Sequence, residues 1–125
     1  MDHRILSHQQ IHHKINRIAY QIYESNVDEK EIVLAGIEGG GLEFARKLQR
    51  SLEKICPAKI RLCKVLMDKS DPLTSGVQTS LNAAEYEGRS VVVIDDVLKS
   101  GTTLIYAVNH FLKTPLKLLK TAVLV

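Results

Sequence analysis

The sequence predicts an α/β fold, in which a parallel sheet carries helices on both of its faces. Three observations support this prediction. Short apolar runs alternate along the chain with longer segments in which apolar residues recur at helical spacing. The main runs are not interrupted by polar residues, as is typical of strands buried on both faces. The length of 125 residues suffices for one core, so we expect residues 1–125 to form a single domain.

The first half of the chain contains two predicted helices and two predicted strands. Ser7 and Gln10 have the spacing of a capping box at the start of an amphipathic helix over residues 8–24. A continuous apolar run then predicts a strand over residues 32–36. After a glycine cluster, apolar residues at helical spacing predict a second helix between residues 42 and 52. Beyond Pro57, apolar residues that partly alternate with polar ones predict a second strand over residues 60–65.

The second half of the chain begins with a predicted mobile loop over residues 68–82, which is rich in Ser, Thr, Asp, Pro and Gly. Residues 91–94, with the sequence Val-Val-Val-Ile, are the most strand-like segment of the chain. A helix is predicted over residues 102–112, and a further buried strand over residues 121–125. Ligands of open parallel sheets bind beyond the carboxyl ends of the strands. We therefore expect the functional residues to follow the strands at 32–36 and 91–94.

Composition and charge exclude several classes of protein. Seventeen basic and fourteen acidic residues give a net charge of +3, which suits an anionic small molecule but not a dedicated nucleic-acid binder. No apolar run approaches the length that spans a bilayer, and the amino terminus lacks a signal-peptide pattern. Cys56 and Cys63 form neither a CxxC pair nor a disulfide framework, so we expect a reducing, cytoplasmic location.

The segment over residues 91–103 combines three physical features. A β-rich run holds it in the core, and Asp95 and Asp96 at its tip offer four carboxylate oxygens to hydroxyl groups or a hydrated Mg²⁺. The turn over residues 100–103, with the sequence Ser-Gly-Thr-Thr, then opens a helix whose amides and dipole favour a phosphate. An acidic pair alone would be an ordinary strand-to-loop transition. Together with the turn it predicts a site for ribose 5-phosphate.

This segment resembles the signature with which type I phosphoribosyltransferases bind phosphoribosyl diphosphate (PRPP). The shared pattern is four apolar residues, two acidic residues and a Ser/Thr-Gly turn with further hydroxyls. The resemblance implies that Asp95 and Asp96 are the catalytic pair, which binds the ribose hydroxyls. It also implies Mg²⁺ as a cofactor, which reaches the site through PRPP with assistance from Asp95 or Asp96 and has no dedicated protein ligands. The implied PRPP-binding residues are Val97, Leu98, Lys99, Ser100, Gly101, Thr102 and Thr103.

The glycine cluster stands where type I phosphoribosyltransferases place their pyrophosphate loop. The resemblance assigns this role to Glu38, Gly39, Gly40 and Gly41. Glycines allow backbone amides to approach an anion closely, although a tight strand-to-helix turn would also explain them. Related enzymes often have an arginine where Gly40 stands, so this chain lacks a positive charge there. Lys69, in the predicted flexible lid over residues 68–82, is a candidate substitute, and a solvated surface lysine is the alternative.

Across most of the chain the order of segments is similar to the pyrimidine-operon regulator and uracil phosphoribosyltransferase branch. This implies an enzyme that transfers the phosphoribosyl group to a pyrimidine base, with uracil as the first candidate, and releases pyrophosphate. Hypoxanthine-type relatives usually carry an acid where Lys99 stands. The alternative is a regulator that senses PRPP or a nucleotide and binds RNA. The family continues beyond the strand at 121–125, so we expect a domain truncated at its C-terminal end, an incomplete hood over the base, and a homodimer that covers the exposed strand.

Two histidines give a weaker signal. His8 and His12 share a helix face at a spacing that can bind a metal, but no third ligand accompanies them in the sequence. A solvated helix surface is therefore the preferred interpretation.

Overall fold

A computed structural model of the chain describes residues 7–68, 70, 76–98 and 101–125. Four helices and five strands follow one another in this part of the chain. They are α1 (His8–Ser25), β1 (Glu31–Ile37), α2 (Gly40–Ile55), β2 (Lys59–Met67), β3 (Val77–Thr79), α3 (Ala83–Tyr86), β4 (Ser90–Asp95), α4 (Thr102–Leu112) and β5 (Leu118–Val123).

The five strands form one sheet in the order β3-β2-β1-β4-β5. The pairs β1–β2, β1–β4 and β4–β5 are parallel, and β3 runs antiparallel to β2. In the register of β1 with β4, Gly36 lies opposite Ile94. After β1 the chain adds β2 and β3 on one side of β1, and it then places β4 and β5 on the other side. The strand order therefore reverses between β1 and β4. The loops that follow these two strands face each other across the crevice in which such sheets bind ligands.

Helices cover both faces of the sheet, which confirms the predicted fold class. Alternate residues of each strand point to opposite faces. Ile32 and Leu34 face a core that also contains the buried sides of α1 and α2. Val33 and Ala35 face a second core, in which the ring of Tyr86 meets Phe111 of α4 edge-on at 5.0 Å. Both central strands are thus buried on both sides, as their unbroken apolar sequences predict.

The amino-terminal helix α1 begins as predicted. The backbone amide of Gln10 donates to Oγ of Ser7 at 3.2 Å, and the backbone amide of Ser7 donates to Oε1 of Gln10 at 2.8 Å. This capping box satisfies two amides that the first helical turn would otherwise leave without a partner. At the other end, the amide group of Asn26 donates to the carbonyl of Ile22 at 2.7 Å. The helix ends at Ser25, one residue beyond the prediction.

Two predicted segments differ from the structure. The segment expected to be a loop over residues 68–82 contains β3, a short edge strand that forms only through its pairing with β2. The strand predicted over residues 121–125 lies instead at Leu118–Val123, and Lys120 and Thr121 are exposed. The expectation that it is buried was wrong because β5 is at the end of the sheet order. Among the described residues, it has a hydrogen-bonded neighbouring strand on one side only.

Candidate functional site

The end of β4 places two adjacent carboxylates in different environments. Asp95 is 6% exposed, whereas Asp96 is half-buried. The backbone amide of Asp96 donates to Oδ1 of Asp95 at 2.9 Å. A buried carboxylate is stabilised by such a bond, which also fixes the direction in which its side chain points. The pair therefore presents one rigid and one more accessible acceptor at the crevice.

The glycine loop packs directly onto this acidic pair. A methyl group at Gly40 would lie 1.8 Å from Oδ2 of Asp96, and one at Gly41 would lie 2.8 Å from the carbonyl oxygen of Ile94. Neither distance is possible for a real side chain unless something moves. At Gly41 the obstacle is backbone, so glycine is required there, whereas at Gly40 it is the side chain of Asp96, which would have to move aside. The contact brings the two sequence-predicted loops together.

Two further interactions shape the glycine loop. The backbone amide of Glu38 donates to the carbonyl of Val65 at 2.9 Å, which ties the loop to the neighbouring strand β2. Gly39, the N-cap residue of α2, has φ +99°, a conformation that side-chain-bearing residues rarely adopt. The chain can therefore turn from β1 into α2 within two residues, and the side chain of Glu38 remains exposed.

The second loop ends in the N-terminus of α4. Gly101 is the N-cap residue, with φ +80° and ψ −7°, and no side chain in the described part of the chain caps the helix. The carbonyl of Gly101 accepts from the amide of Ile105 at 2.9 Å, so the helix is regular from its first turn. The first amides of a helix lack intrahelical partners and carry the positive end of its dipole. An anion is therefore favoured at this end, where Thr102 is exposed and Thr103 half-buried.

The first part of the same loop is held by the last residue of the chain. The backbone amide of Val125 donates to the carbonyl of Asp96 at 2.9 Å, and the amide of Leu98 donates to the carbonyl of Val125 at 3.1 Å. The side chains of Val97 and Leu98 are exposed. The predicted role of these two residues in binding PRPP would therefore involve the backbone of the loop, whose course these two hydrogen bonds fix.

Most of the residues singled out in the sequence lie at this one edge of the sheet. Contacts join Gly40 and Gly41 to the end of β4, while Gly101 to Thr103 begin the helix that follows it. Three residues assigned a role, Lys69, Lys99 and Ser100, lie outside the described residues.

A neighbouring cavity was not anticipated from the sequence. It has a volume of about 440 Å³, and both Glu38 and Asp68 line it, together with Met67 and Gln78. Asp68 directly follows the apolar strand β2, as Asp95 ends β4. The same argument from strand ends could therefore have identified it.

The donor set at the crevice suits a metal that a substrate brings with it. Among the residues the structure describes, no three His, Cys, Asp or Glu side chains are grouped so that they could hold a metal ion. Mg²⁺ is usually bound through one or two carboxylates together with substrate phosphates. Asp95 and Asp96 meet that requirement, because they offer hard oxygen ligands beside a phosphate-favouring helix end.

Cysteine chemistry does not contribute to this crevice. Cys56 and Cys63 are both buried and unpaired. Burial raises the pKa of the Cys63 thiol above its usual value of 9.0, which disfavours the nucleophilic thiolate.

No helix in the described ranges is both long and apolar enough to cross a membrane.

Comparisons with known proteins identify the relatives of this chain. The family model of the phosphoribosyl transferase domain matches residues 2–125. The bifunctional protein PyrR of Streptococcus pneumoniae strains CGSP14 and JJA is 35% identical over 99 residues, which is 77% of this chain and 56% of the relative. The chain thus spans little more than half the length of the curated relatives it matches.

Solved structures share the fold. A hypoxanthine-guanine phosphoribosyltransferase from Bacillus anthracis is 24% identical with a TM-score of 0.76, covering 95% of this chain and 68% of that one. A hypoxanthine phosphoribosyltransferase from Trypanosoma cruzi is 20% identical with a TM-score of 0.76, covering 92% of this chain and 66% of that one. At these identities the likeness concerns the fold and does not extend to the substrate.

Proposed function

The chain belongs to the phosphoribosyl transferase domain family, and from this premise we propose that it transfers the phosphoribosyl group of PRPP to a nucleobase. One observation carries the proposal. The loop after β1 and the loop after β4 meet at the point where the strand order reverses, with Gly40 and Gly41 against the acidic tip of β4. A sugar phosphate and a diphosphate need two such adjacent loops, one for each end of the molecule.

In the proposed mechanism each loop holds one part of PRPP. Asp95 and Asp96 accept hydrogen bonds from the ribose hydroxyls, and the N-terminus of α4 holds the 5′-phosphate through backbone amides and the hydroxyls of Thr102 and Thr103. The glycine loop faces the diphosphate. Fixing both ends of the substrate supplies orientation that a reaction in solution lacks.

The transfer breaks the bond from the anomeric carbon of ribose to pyrophosphate and forms a bond from that carbon to a nitrogen of the base. Pyrophosphate leaves with the electron pair, and the proton that the base loses passes to pyrophosphate or to solvent. Positive charge develops on the ribose in the transition state, and the fixed carboxylates of Asp95 and Asp96 stabilise it. We propose that the segment over residues 68–82, including Lys69, excludes water, because hydrolysis of PRPP competes with transfer.

We propose Mg²⁺ as the cofactor. When bound with PRPP it would neutralise the charge of the diphosphate, and Asp95 or Asp96 would assist in holding it. This chain has no basic residue from Gly36 to Gly41. Such neutralisation therefore matters more here than in a loop that contains arginine.

The proposed acceptor is a pyrimidine, with uracil as the first candidate. This rests on the similarity to PyrR and on Lys99, which stands where hypoxanthine-type relatives usually carry an acid. The structural relatives named for hypoxanthine do not bear against it, since their identity supports the fold alone.

A regulator that binds RNA is the second candidate function. It is favoured by the 35% identity to proteins that are described as bifunctional. In a regulator, the same crevice would bind PRPP or a nucleotide as a signal, with little or no catalysis. RNA affinity that falls steeply with salt would support it, because phosphate contacts release counterions.

We also propose a homodimer and a cytoplasmic location. The outer edge of β5 is the surface we assign to the dimer, because unpaired edge strands attract further strands. The two buried, unpaired cysteines suit a reducing compartment.

The decisive experiment incubates the protein with Mg²⁺, PRPP and single nucleobases, and measures pyrophosphate release. We expect release with uracil and none with hypoxanthine or without a base. Tight PRPP binding without release for any base would favour the regulator. Failure to bind PRPP at all would refute both functions.

A further inference from the structure

A second polar site lies between α1 and α2, away from the crevice. It is a groove of about 320 Å³, a volume within the range of small-molecule sites. The candidate crevice begins at Gly40, the first residue of α2, whereas the groove is centred near Arg50. At a rise of about 1.5 Å per residue the two lie about 15 Å apart along the helix axis. Its charged and imidazole side chains are His8, His12, Lys47, Arg50 and Lys54.

Among the residues that the structure describes, the lining contains cations and no acids. Lys47, Arg50 and Lys54 are spaced by three and four residues on one side of α2, and no ion pair joins any of them to a described carboxylate. The neighbouring Arg46, in contrast, pairs with Glu43 at 2.9 Å. Like charges at this spacing destabilise a helix by several tenths of a kcal/mol per pair in general. A bound anion would relieve that repulsion.

A chain of hydrogen bonds links α2 to α1 beside the groove. Oγ of Ser51 donates to Oδ1 of Asn16 at 3.1 Å, and Nδ2 of Asn16 lies 3.2 Å from Nε2 of His12. The amide nitrogen can only donate, so Nε2 of His12 is the acceptor in this contact. The hydroxyl of Ser51 is directed to Asn16. The donors and the positive charge of the groove therefore come from Lys47, Arg50 and Lys54.

The floor of the groove is apolar and fixed. Ile11 is half-buried and Ile15 is 5% exposed, and both pack in the core beneath α1 and α2. An apolar floor limits hydration on one side of a bound molecule, which strengthens electrostatic attraction to the cations around it.

We propose that this groove binds a small polyphosphate anion, such as inorganic tripolyphosphate or the triphosphate of a nucleotide. Several linked phosphates can engage the three α2 cations at once, whereas a single exposed ion pair contributes little. The compact size of the groove favours a small ligand over a nucleic acid, whose binding modules bury a far larger surface. Elsewhere on the molecule, basic residues such as Lys117 and Arg61 pair with acids and do not extend the patch.

The test is a titration of the ¹⁵N-labelled chain with tripolyphosphate in the absence of Mg²⁺, followed by amide chemical shifts. We expect saturable shifts at Ile11, Ile15 and Ser51. The variant Lys47→Gln/Arg50→Gln/Lys54→Gln should weaken this binding by about tenfold or more, as three charged contacts are lost. Arg50→Gln alone should weaken it by a smaller factor, and it remains informative should the triple variant fold poorly.

A control variant carries the same change in charge elsewhere. Lys30, Lys59 and Lys113 are exposed and lie outside the groove. Lys30→Gln/Lys59→Gln/Lys113→Gln should leave the affinity of the groove within about twofold, provided that binding is local and is not a response to net charge. An equal loss in both variants would overturn the proposal.

The location of the shifts separates this proposal from phosphoribosyl transfer. Tripolyphosphate bound at the crevice would shift Gly40 and Gly101, and those shifts should persist in the groove variant. Shifts only at those two residues would overturn the groove site and leave the proposed function untouched. ATP should bind the groove about as well as tripolyphosphate. A single-stranded oligouridylate that bound the groove more tightly than either would overturn the assignment to a small ligand in favour of a nucleic acid.

Discussion

The two loops that meet at the crevice differ in how they contribute to it. The loop after β4 carries functional groups, namely the carboxylates of Asp95 and Asp96 and the hydroxyls of two threonines. The loop after β1 contributes backbone and shape. Its glycines allow the start of α2 to touch the end of β4, where a methyl group would lie within 3 Å of the acidic tip or its backbone.

In the proposed function, this difference divides chemistry and geometry between the loops. A change in the loop after β4 should remove interactions with the substrate while the fold remains. A change in the loop after β1 should alter the distance between the loops, and therefore stability or alignment. The division would be wrong if changes in the loop after β4 mainly lowered stability, or if changes in the loop after β1 altered neither stability nor alignment.

The largest expected effect follows from neutralising the acidic pair. Asp95→Asn with Asp96→Asn keeps the shape of both side chains but removes the charge that, in the proposed mechanism, stabilises the developing positive ribose. We expect PRPP-dependent pyrophosphate release to fall by about 10²-fold or more. Circular dichroism should show an unchanged fold. The matched control is Glu24→Gln with Glu87→Gln, two exposed acids outside the crevice, which should retain activity.

Undiminished turnover in the Asp95/Asp96 variant would defeat the assignment of the site. A variant that failed to fold would show instead that the carboxylates are structural, and single substitutions would then separate the two residues. Asp96, the more exposed, should tolerate replacement better than the buried Asp95.

The next effect contrasts two adjacent glycines. A methyl group at Gly41 would meet the backbone at Ile94 and Asp95, which cannot move without disturbing β4. Gly41→Ala should lower the free energy of unfolding by about 1–3 kcal/mol, as overpacking usually does. At Gly40 the clash is with the carboxylate of Asp96, which can rotate away. Gly40→Ala should therefore keep most of the stability but weaken PRPP binding.

Urea unfolding and PRPP titration of both variants measure this contrast. Equal losses of stability at the two glycines would mean that the side chain of Asp96 is held as rigidly as the backbone. Unchanged PRPP affinity in Gly40→Ala would mean that the position of Asp96 is irrelevant to binding.

The fold could largely be predicted from the sequence, because its central strands and longest helices have strong local patterns. Helix α4 begins and ends at Thr102 and Leu112, as predicted. The edge strand β3 was missed because its three residues are partly polar and form a strand only through β2, which is distant in the sequence. Helix α3 was also missed, although Asn82 and Glu85 form a capping box that the sequence displays.

The sequence predicted that both loops belong to one site, but it did not predict which of their residues touch. Local composition identified the acidic pair and the glycines, since each loop has its own pattern. The contact between Gly40 and Asp96 depends on the register of β1 with β4, which no local pattern contains. The hydrogen bonds between Val125 and the loop after β4 were likewise unforeseen, because they join segments on different strands.

The helices that follow the two loops, α2 and α4, differ in whether they contain a partly buried group that titrates. The buried side of α2 is entirely apolar, whereas α4 contains His110, whose ring lies edge-on to Phe111 at 5.5 Å. Partial burial, followed by repulsion from Lys113, lowers the pKa of His110 below 6.5. The loop after β4 is therefore followed by a helix whose stability depends on pH through His110.

The smallest expected effect is a loss of stability in acid that depends on this histidine. Because the pKa of His110 is lower in the folded chain than its unfolded value of 6.5, the unfolded chain binds the proton more readily. The free energy of unfolding should thus be unaffected by this group above pH 6.5 and should decrease as the pH falls below it. Urea midpoints between pH 5 and pH 8, about the range in which histidine titrates, should show this decrease in the wild type and a shallower one in His110→Gln. Lys113→Gln should have a smaller effect in the same direction, since repulsion is the lesser cause. If the urea midpoints of wild type and His110→Gln changed in parallel with pH, His110 would not be the cause of the acid sensitivity. The expected difference between α4 and α2 would then be wrong.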